Sequence, residues 1–206
     1  MQTPHRATQT QRPPLDPLYA FVFVGLFSPG PNVILLTASG ARFGFRRTLP
    51  HVLGVAAGVG ITAGLTGLGI GALLAARPSL ELTLKLVAAA WIVWMAWKLW
   101  QSAAAGGQQG RDRPFTLLEA VLFQWVNPKV WAVALAAASG YAAGLTPLAE
   151  AQRLAIAFSG INLFVCLFWT MAGALLALLL TTPLAWRIFA RVMAGGLFAA
   201  AIMVFV

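Results

Sequence analysis

Nearly the whole chain is written as apolar runs of about the length that crosses a hydrocarbon layer, roughly 20 residues each, separated by short polar breaks. The runs expected to span fall at about 16–40, 49–75, 80–101, 116–138, 152–180 and 186–206. A soluble globule is excluded, because 60% of the residues are apolar and only 9% are charged, where soluble domains carry about a quarter charged. The predicted fold class is an all-α polytopic membrane protein of about six transmembrane helices. A chain of 206 residues then has no room for a second, soluble catalytic domain.

Each boundary has a physical cause. Arg42, Arg46 and Arg47 are expected to end the first span, and Arg77-Pro78-Ser79 to separate the second from the third. Ser102 to Pro114, with Gly106, Gly107, Gly110, Arg111, Asp112 and Arg113, is the one extended linker. Thr146-Pro147 with Glu150 and Arg153 marks the next turn, and Thr182-Pro183 with Arg187 the last. Residues 1–14 read as a polar, disordered leader. The apolar run from Leu15 to Ser39 exceeds the roughly 7–15 residues of a cleaved signal, so it is expected to stay as the first helix. One membrane domain is therefore expected over 15–206, with a first half at about 15–101, a linker at about 102–115 and a second half at about 116–206.

Net charge is +9, yet the cations are scattered in twos and threes with no dense basic face, which argues against a nucleic-acid partner. They serve topology instead. With the N-terminus outside, the inner segments carry Arg42, Arg46, Arg47, Lys98, Arg111, Arg113, Arg187 and Arg191, and the outer ones only Arg6, Arg12, Arg77, Lys85 and Arg153. Both termini are thus expected outside. The single Cys166 lies in an apolar run, which excludes a disulfide framework and a dithiol relay and leaves a packing role. In the second span, the pairs Gly54/Gly58, Gly60/Gly64 and Gly67/Gly71 are spaced to let helix backbones approach closely. Trp91, Trp94, Trp97 and Trp100 recur every third residue. Trp97, Lys98 and Trp100 read as an interfacial anchor, while Trp91 and Trp94 are candidates for a pocket wall.

Two of the spans are broken at matching places. The first contains Ser28-Pro29-Gly30-Pro31-Asn32, and the fourth contains Gln124-Trp125-Val126-Asn127-Pro128-Lys129. Proline removes a backbone donor and clashes with the preceding turn, so in lipid such breaks belong where protein or water can satisfy the freed groups. Each also reads as the start of a half-helix, with Gly30 or Asn127 at the N-cap and Pro31 or Pro128 at the first helical position. The positive ends of two half-helices would then meet near mid-membrane, where they suit a carboxylate. Three spans per half place the second half inverted relative to the first, a plan common among secondary transporters.

Lys129 adds a cation at a depth where insertion costs about 2.5–3.5 kcal/mol, so it is a functional candidate. Its expected partner is either a solute carboxylate or a backbone carbonyl freed by the break; a lysine snorkelling to the surface is the alternative. Asn32, Gln124 and Asn162 are uncharged polar groups inside spans, suited equally to helix-to-helix hydrogen bonding and to binding. His51 and Glu119 sit near span ends and are expected to be solvated.

Four segments carry a resemblance to a known family: Phe27-Ser28-Pro29-Gly30-Pro31-Asn32, Ser39 to Arg47, Ile92-Val93-Trp94-Met95-Ala96-Trp97-Lys98, and Phe123 to Trp131. Together they resemble the LysE/RhtB family of amino-acid exporters, over about Leu18 to the C-terminus. Within it the chain looks closest to members similar to the cysteine and O-acetylserine exporter, chiefly through Trp94 to Lys98. The resemblance implies a six-helix bacterial inner-membrane protein that exports amino acids or related metabolites, driven by the proton gradient and often dimeric, with no cofactor. Two departures bear on selectivity. Ala88-Ala89-Ala90-Trp91 stands where the family usually has Gly-Ala-Ala-Tyr, and Asn162 stands where some relatives carry an acid.

The candidate substrate site is thus Ser28, Pro29, Gly30, Pro31, Asn32, Gln124, Asn127, Pro128, Lys129 and Asn162, with no catalytic or metal-ligating group. An intramembrane enzyme would need a nucleophile or metal constellation, and the only histidines are His5 and His51. A structural or assembly subunit would use the Gly-rich face as an interaction surface. A passive channel would conduct without saturation.

Overall fold

A computed structural model describes residues 16–70, 76–104 and 113–205; the expected leader and most of the expected linker lie outside them, as does Gly71. Eight helices follow in order: α1 (Pro17–Phe27), α2 (Pro31–Phe43), α3 (Phe45–Gly67), α4 (Pro78–Ala104), α5 (Leu117–Trp125), α6 (Pro128–Gly140), α7 (Pro147–Leu176) and α8 (Pro183–Ile202). No strand occurs among the described residues. Helices α3, α4, α7 and α8 are long and apolar enough to cross a membrane alone. The pairs α1/α2 and α5/α6 do so as bent spans, by 60° and 63°. The chain is an all-α polytopic membrane protein, with six spans when each bent pair counts as one.

Proline sets most helix starts. Six of the eight helices begin on one, where the missing N–H is not needed and the fixed φ suits the helix. Thr146 and Thr182 accept from Ala149 and Ala185 to cap α7 and α8, and Asp16 accepts from the Leu18 N–H at 3.0 Å to cap α1. Thr116 and Glu119 form a reciprocal capping box at α5.

These caps correct two expected boundaries. Thr146-Pro147 starts α7 rather than sitting in a turn, so Glu150 and Arg153 belong to its first turns. A single residue, Gly44 at φ 80°, separates α2 from α3, so Arg46 and Arg47 open a helix instead of forming a loop. Glycine suits that left-handed position because it carries no Cβ.

The halves interlock. Equivalent helices pair, α3 with α7 and α4 with α8, while α1/α2 lies across α7 and α5/α6 lies across α3. Close approach depends on small residues. A methyl at Gly54 would overlap the Leu117 carbonyl, and one at Gly67 would lie 2.8 Å from Ala151 Cα. Gly60 meets Ser159, so the glycine pattern does bring α3 against both α5 and α7. At the crossing of α2 and α7, Gly40 lies against the Thr170 carbonyl and Gly173 against the Thr37 carbonyl, a reciprocal contact.

The outside is apolar, with Val24, Leu122, Leu178 and Trp97 all exposed, as lipid solvation requires and water would not allow. Arg191 stacks over Trp100 at 5.5 Å, in keeping with an interfacial position. Cys166 is buried and packs in the core. His51 departs from expectation. It is 2% exposed, because the chain entering α5 lays Phe115 over it at a ring separation of 4.9 Å. Glu119 instead takes a bidentate Arg113 at 2.7 and 3.0 Å.

Candidate functional site

The two breaks face each other. α1 ends at Ser28, whose N–H reaches Val24 O at 3.2 Å, and α2 restarts at Pro31. α5 ends at Trp125 and α6 restarts at Pro128. Each break frees carbonyls, and each is answered locally or from the other half. In the second, the Trp131 indole N–H donates to the Trp125 carbonyl at 3.0 Å. In the first, Lys129 of α6 donates to the Ser28 carbonyl, to Ser28 Oγ at 2.9 Å and to the Pro29 carbonyl at 3.3 Å. The freed carbonyl, one of the two expected partners, is thus within reach of Lys129. Lys129 does not run to the surface.

The crossing is mutual. Lys129 is the residue after Pro128, and Asn32 is the residue after Pro31. Asn32 Nδ2 donates to Gln124 Oε1 at 2.8 Å, and Gln124 Nε2 donates to Asn32 Oδ1 at 3.2 Å. Gln124 also donates to the Ala120 carbonyl and is fully buried. The residue following each break proline therefore reaches into the break of the other half.

Asn127 occupies the N-cap of α6, as expected, but its side chain does not cap it. The amide is turned toward Gln124, with Nδ2 3.4 Å from Oε1. Gly30, the N-cap of α2, has no side chain to offer. Both half-helices therefore begin without side-chain caps, leaving first-turn donors and two positive dipole ends for another acceptor.

Two further polar atoms point the same way. Asn127 Oδ1 and Asn162 Nδ2 are buried without a hydrogen-bond partner among the described residues, on side chains 1% and 2% exposed. A buried unmet amide group costs about 1–3 kcal/mol. Gly30, Asn32, Asn127, Lys129 and Asn162 surround a hollow of about 10 Å³, close to the room of one water.

Beside it opens a cavity of about 520 Å³, between the breaks and helices α4 and α8. Such a volume suits a small metabolite. Ser28, Pro29, Gly30, Pro31, Pro128 and Lys129 line it, so of the ten expected site residues six stand here, and Asn32, Asn127 and Asn162 stand in the adjoining hollow. Gln124 joins them through Asn32. Among the described residues no carboxylate lines either space.

Trp91 and Trp94 meet at a ring separation of 5.9 Å, tilted by 59°, and are 44% and 48% exposed. Neither lines the cavity at the breaks; Trp94 lines a different one. Trp125, Trp131, Lys85, Ala88 and Met203 also line the cavity and were not among the expected site residues. A signal existed for part of this set: Pro128, Trp131, Ala132 and Leu135 share one helical face.

Residues 23–206 match the family model described as LysE type translocator. Over 166 residues the chain is 29% identical to the cysteine/O-acetylserine efflux proteins of Salmonella typhimurium and Salmonella choleraesuis, covering 78% of this chain and 83% of each of those. It is 32% identical over 124 residues to an uncharacterized membrane protein of Vibrio cholerae, about half of each chain (52% and 56%). No solved structure matches.

Proposed function

The chain belongs to the LysE type translocator family, and from that premise we propose that it is a secondary active exporter of amino acids or related small metabolites in the bacterial inner membrane, driven by the proton gradient. The observation that carries this reading is the crossing of Lys129 onto the freed carbonyls of Ser28 and Pro29. A cation held by neutral carbonyls lacks a full counter-charge. A solute carboxylate supplies one, and the uncapped starts of α2 and α6 offer it further donors.

Asn127 Oδ1 and Asn162 Nδ2 then give one acceptor and one donor for the rest of the solute. O-acetylserine and cysteine are the natural first probes, since the Salmonella relatives are named for them.

The bends, which leave each pair of half-helices jointed within its span, support transport by alternating access. Both termini outside remains the orientation favoured by the charge distribution, and a homodimer the assembly implied by the family resemblance.

Efflux of O-acetylserine and cysteine from loaded cells, with and without a proton gradient, tests the reading. Pro31→Ala, Asn127→Ala and Lys129→Ala are each expected to lower efflux at least about tenfold, the loss of one charge-assisted contact or more. Wild-type efflux in all three would contradict the site.

A further inference from the structure

The freed carbonyls at the breaks hold two side chains of α6. Those of Ser28 and Pro29 hold the Lys129 ammonium, and that of Trp125 holds the Trp131 indole N–H at 3.0 Å. Lys129 and Trp131 both line the cavity at the breaks. A cation and an aromatic ring, each fixed by backbone, thus share one space. The bond to Trp125 uses the only polar atom of the Trp131 side chain, so its ring meets the cavity as an apolar surface.

From Trp131 the lining continues along α6 through Ala132 to Leu135. With a rise of about 1.5 Å per residue, Pro128 and Leu135 stand about 10 Å apart along the helix. Leu84 and buried Ala88 line the same cavity from α4, and Ala200 lines it from α8. Three of these side chains are methyl groups, which leave the space between the helices open. The resulting volume of about 520 Å³ lies within the range of about 300–1,000 Å³ usual for small-molecule sites.

A solute whose carboxylate meets Lys129 has this apolar space for its remainder. An apolar side chain gains there by leaving water. A hydroxyl or amide gives up its water partners on entering. Lys85 also lines the cavity, which makes a second carboxylate on the solute the rival feature for the walls to read.

We propose that the stretch of α6 from Trp131 to Leu135, with Ala88 of α4 and Ala200 of α8, is the side-chain subsite of the exporter. It selects amino acids with large apolar side chains, of the leucine and phenylalanine kind, over small or polar ones. The Trp131 ring packs on the solute side chain while Lys129 takes the carboxylate. The inference rests on the export reading above.

The test uses proteoliposomes loaded with labelled L-alanine, L-leucine, L-phenylalanine, L-glutamate or O-acetyl-L-serine, and follows initial efflux against internal concentration. In wild type the half-saturating concentration is expected to be at least about tenfold lower for leucine and phenylalanine than for alanine, since apolar pockets discriminate by about 10–200-fold per methylene. Ala88→Leu and Ala200→Leu put a larger side chain into the cavity, and each is expected to abolish that advantage. The leucine-to-alanine ratio within one preparation does not depend on how much protein is active. Ala200 is only half-buried, so its variant guards against a folding failure at Ala88. Equal values across the series, or the lowest value for alanine, would overturn the subsite while leaving the export reading in place. A leucine advantage that survives both substitutions would do the same, and a preference for glutamate over leucine would give the selection to Lys85 instead. No efflux of any of the five solutes would overturn the export reading, and the subsite with it.

Discussion

Lys129 donates to Ser28 twice, to the carbonyl and at 2.9 Å to the hydroxyl, and so ties the start of α6 to the end of α1. The contact joins residues 101 positions apart. It puts a cation at the C-terminal end of one half-helix, where the dipole is negative, while the N-terminal ends of two others lie beside it. Withdrawal of Lys129 would leave the Ser28 and Pro29 carbonyls without this donor.

Asn162 offers a way to separate function from stability. Its buried Nδ2 has no partner among the described residues, and such a group costs about 1–3 kcal/mol. Asn162→Leu removes that cost with the same branching and the same number of side-chain heavy atoms. The expected outcome is a thermal midpoint equal to or above wild type together with efflux lowered about tenfold or more. A lower midpoint with intact efflux would make Asn162 a structural residue only.

The reciprocal crossing of α2 and α7 should be the least tolerant place in the fold. A methyl at Gly40 or Gly173 meets a backbone carbonyl, which cannot turn aside as a side chain can. Gly40→Ala and Gly173→Ala are each expected to destabilise by about 1–3 kcal/mol. Gly160→Ala, on the same α7 but with open space around it, is expected to match wild type. Thermal unfolding in detergent, followed by tryptophan fluorescence, distinguishes them.

The breaks in the first and fourth spans were legible because proline cannot continue a helix. The partner of Lys129 was not, since residues alone leave a carbonyl and a solute equally open, and only the 60° and 63° bends bring Ser28 within reach. His51 misled for a related reason. Its place near a span end suggested solvent, but the chain entering α5 folds Phe115 back over it. The crossing at Gly40 and Gly173 went unread because Gly173 has no glycine four residues away and the one that Gly40 has, Gly44, lies past the end of its helix. Each does stand in a run of three small residues, Ser39-Gly40-Ala41 and Ala172-Gly173-Ala174, and those runs are the signal.

Just ahead of the first span, Asp16 joins α1 to α7. It accepts from Arg153 at 2.7 Å, and Arg153 also holds Glu150 at 3.1 Å and the Tyr141 carbonyl at 2.9 Å. The hydrogen bond from Arg153, then that from the Leu18 N–H, keeps the Asp16 carboxyl below the ordinary carboxylate range. A carboxyl depressed in the folded state stabilises above its unfolded pKa, and that contribution is lost as pH falls through the folded value. Wild type is therefore expected to lose thermal stability below about pH 4. Asp16→Asn is expected to start lower at pH 7 and to show a shallower acid decline. Parallel curves for the two proteins would contradict this role.

Counterflow in proteoliposomes tests the central claim most directly. Vesicles loaded with unlabelled O-acetyl-L-serine and diluted into a trace of labelled solute accumulate label only if the protein carries a saturable site that faces each side in turn. Wild type is expected to show a transient overshoot that saturates with internal solute, and Lys129→Gln to show none while running as wild type on size exclusion. An overshoot of wild-type size in Lys129→Gln would contradict the claim that the crossing of the two breaks is the transport site.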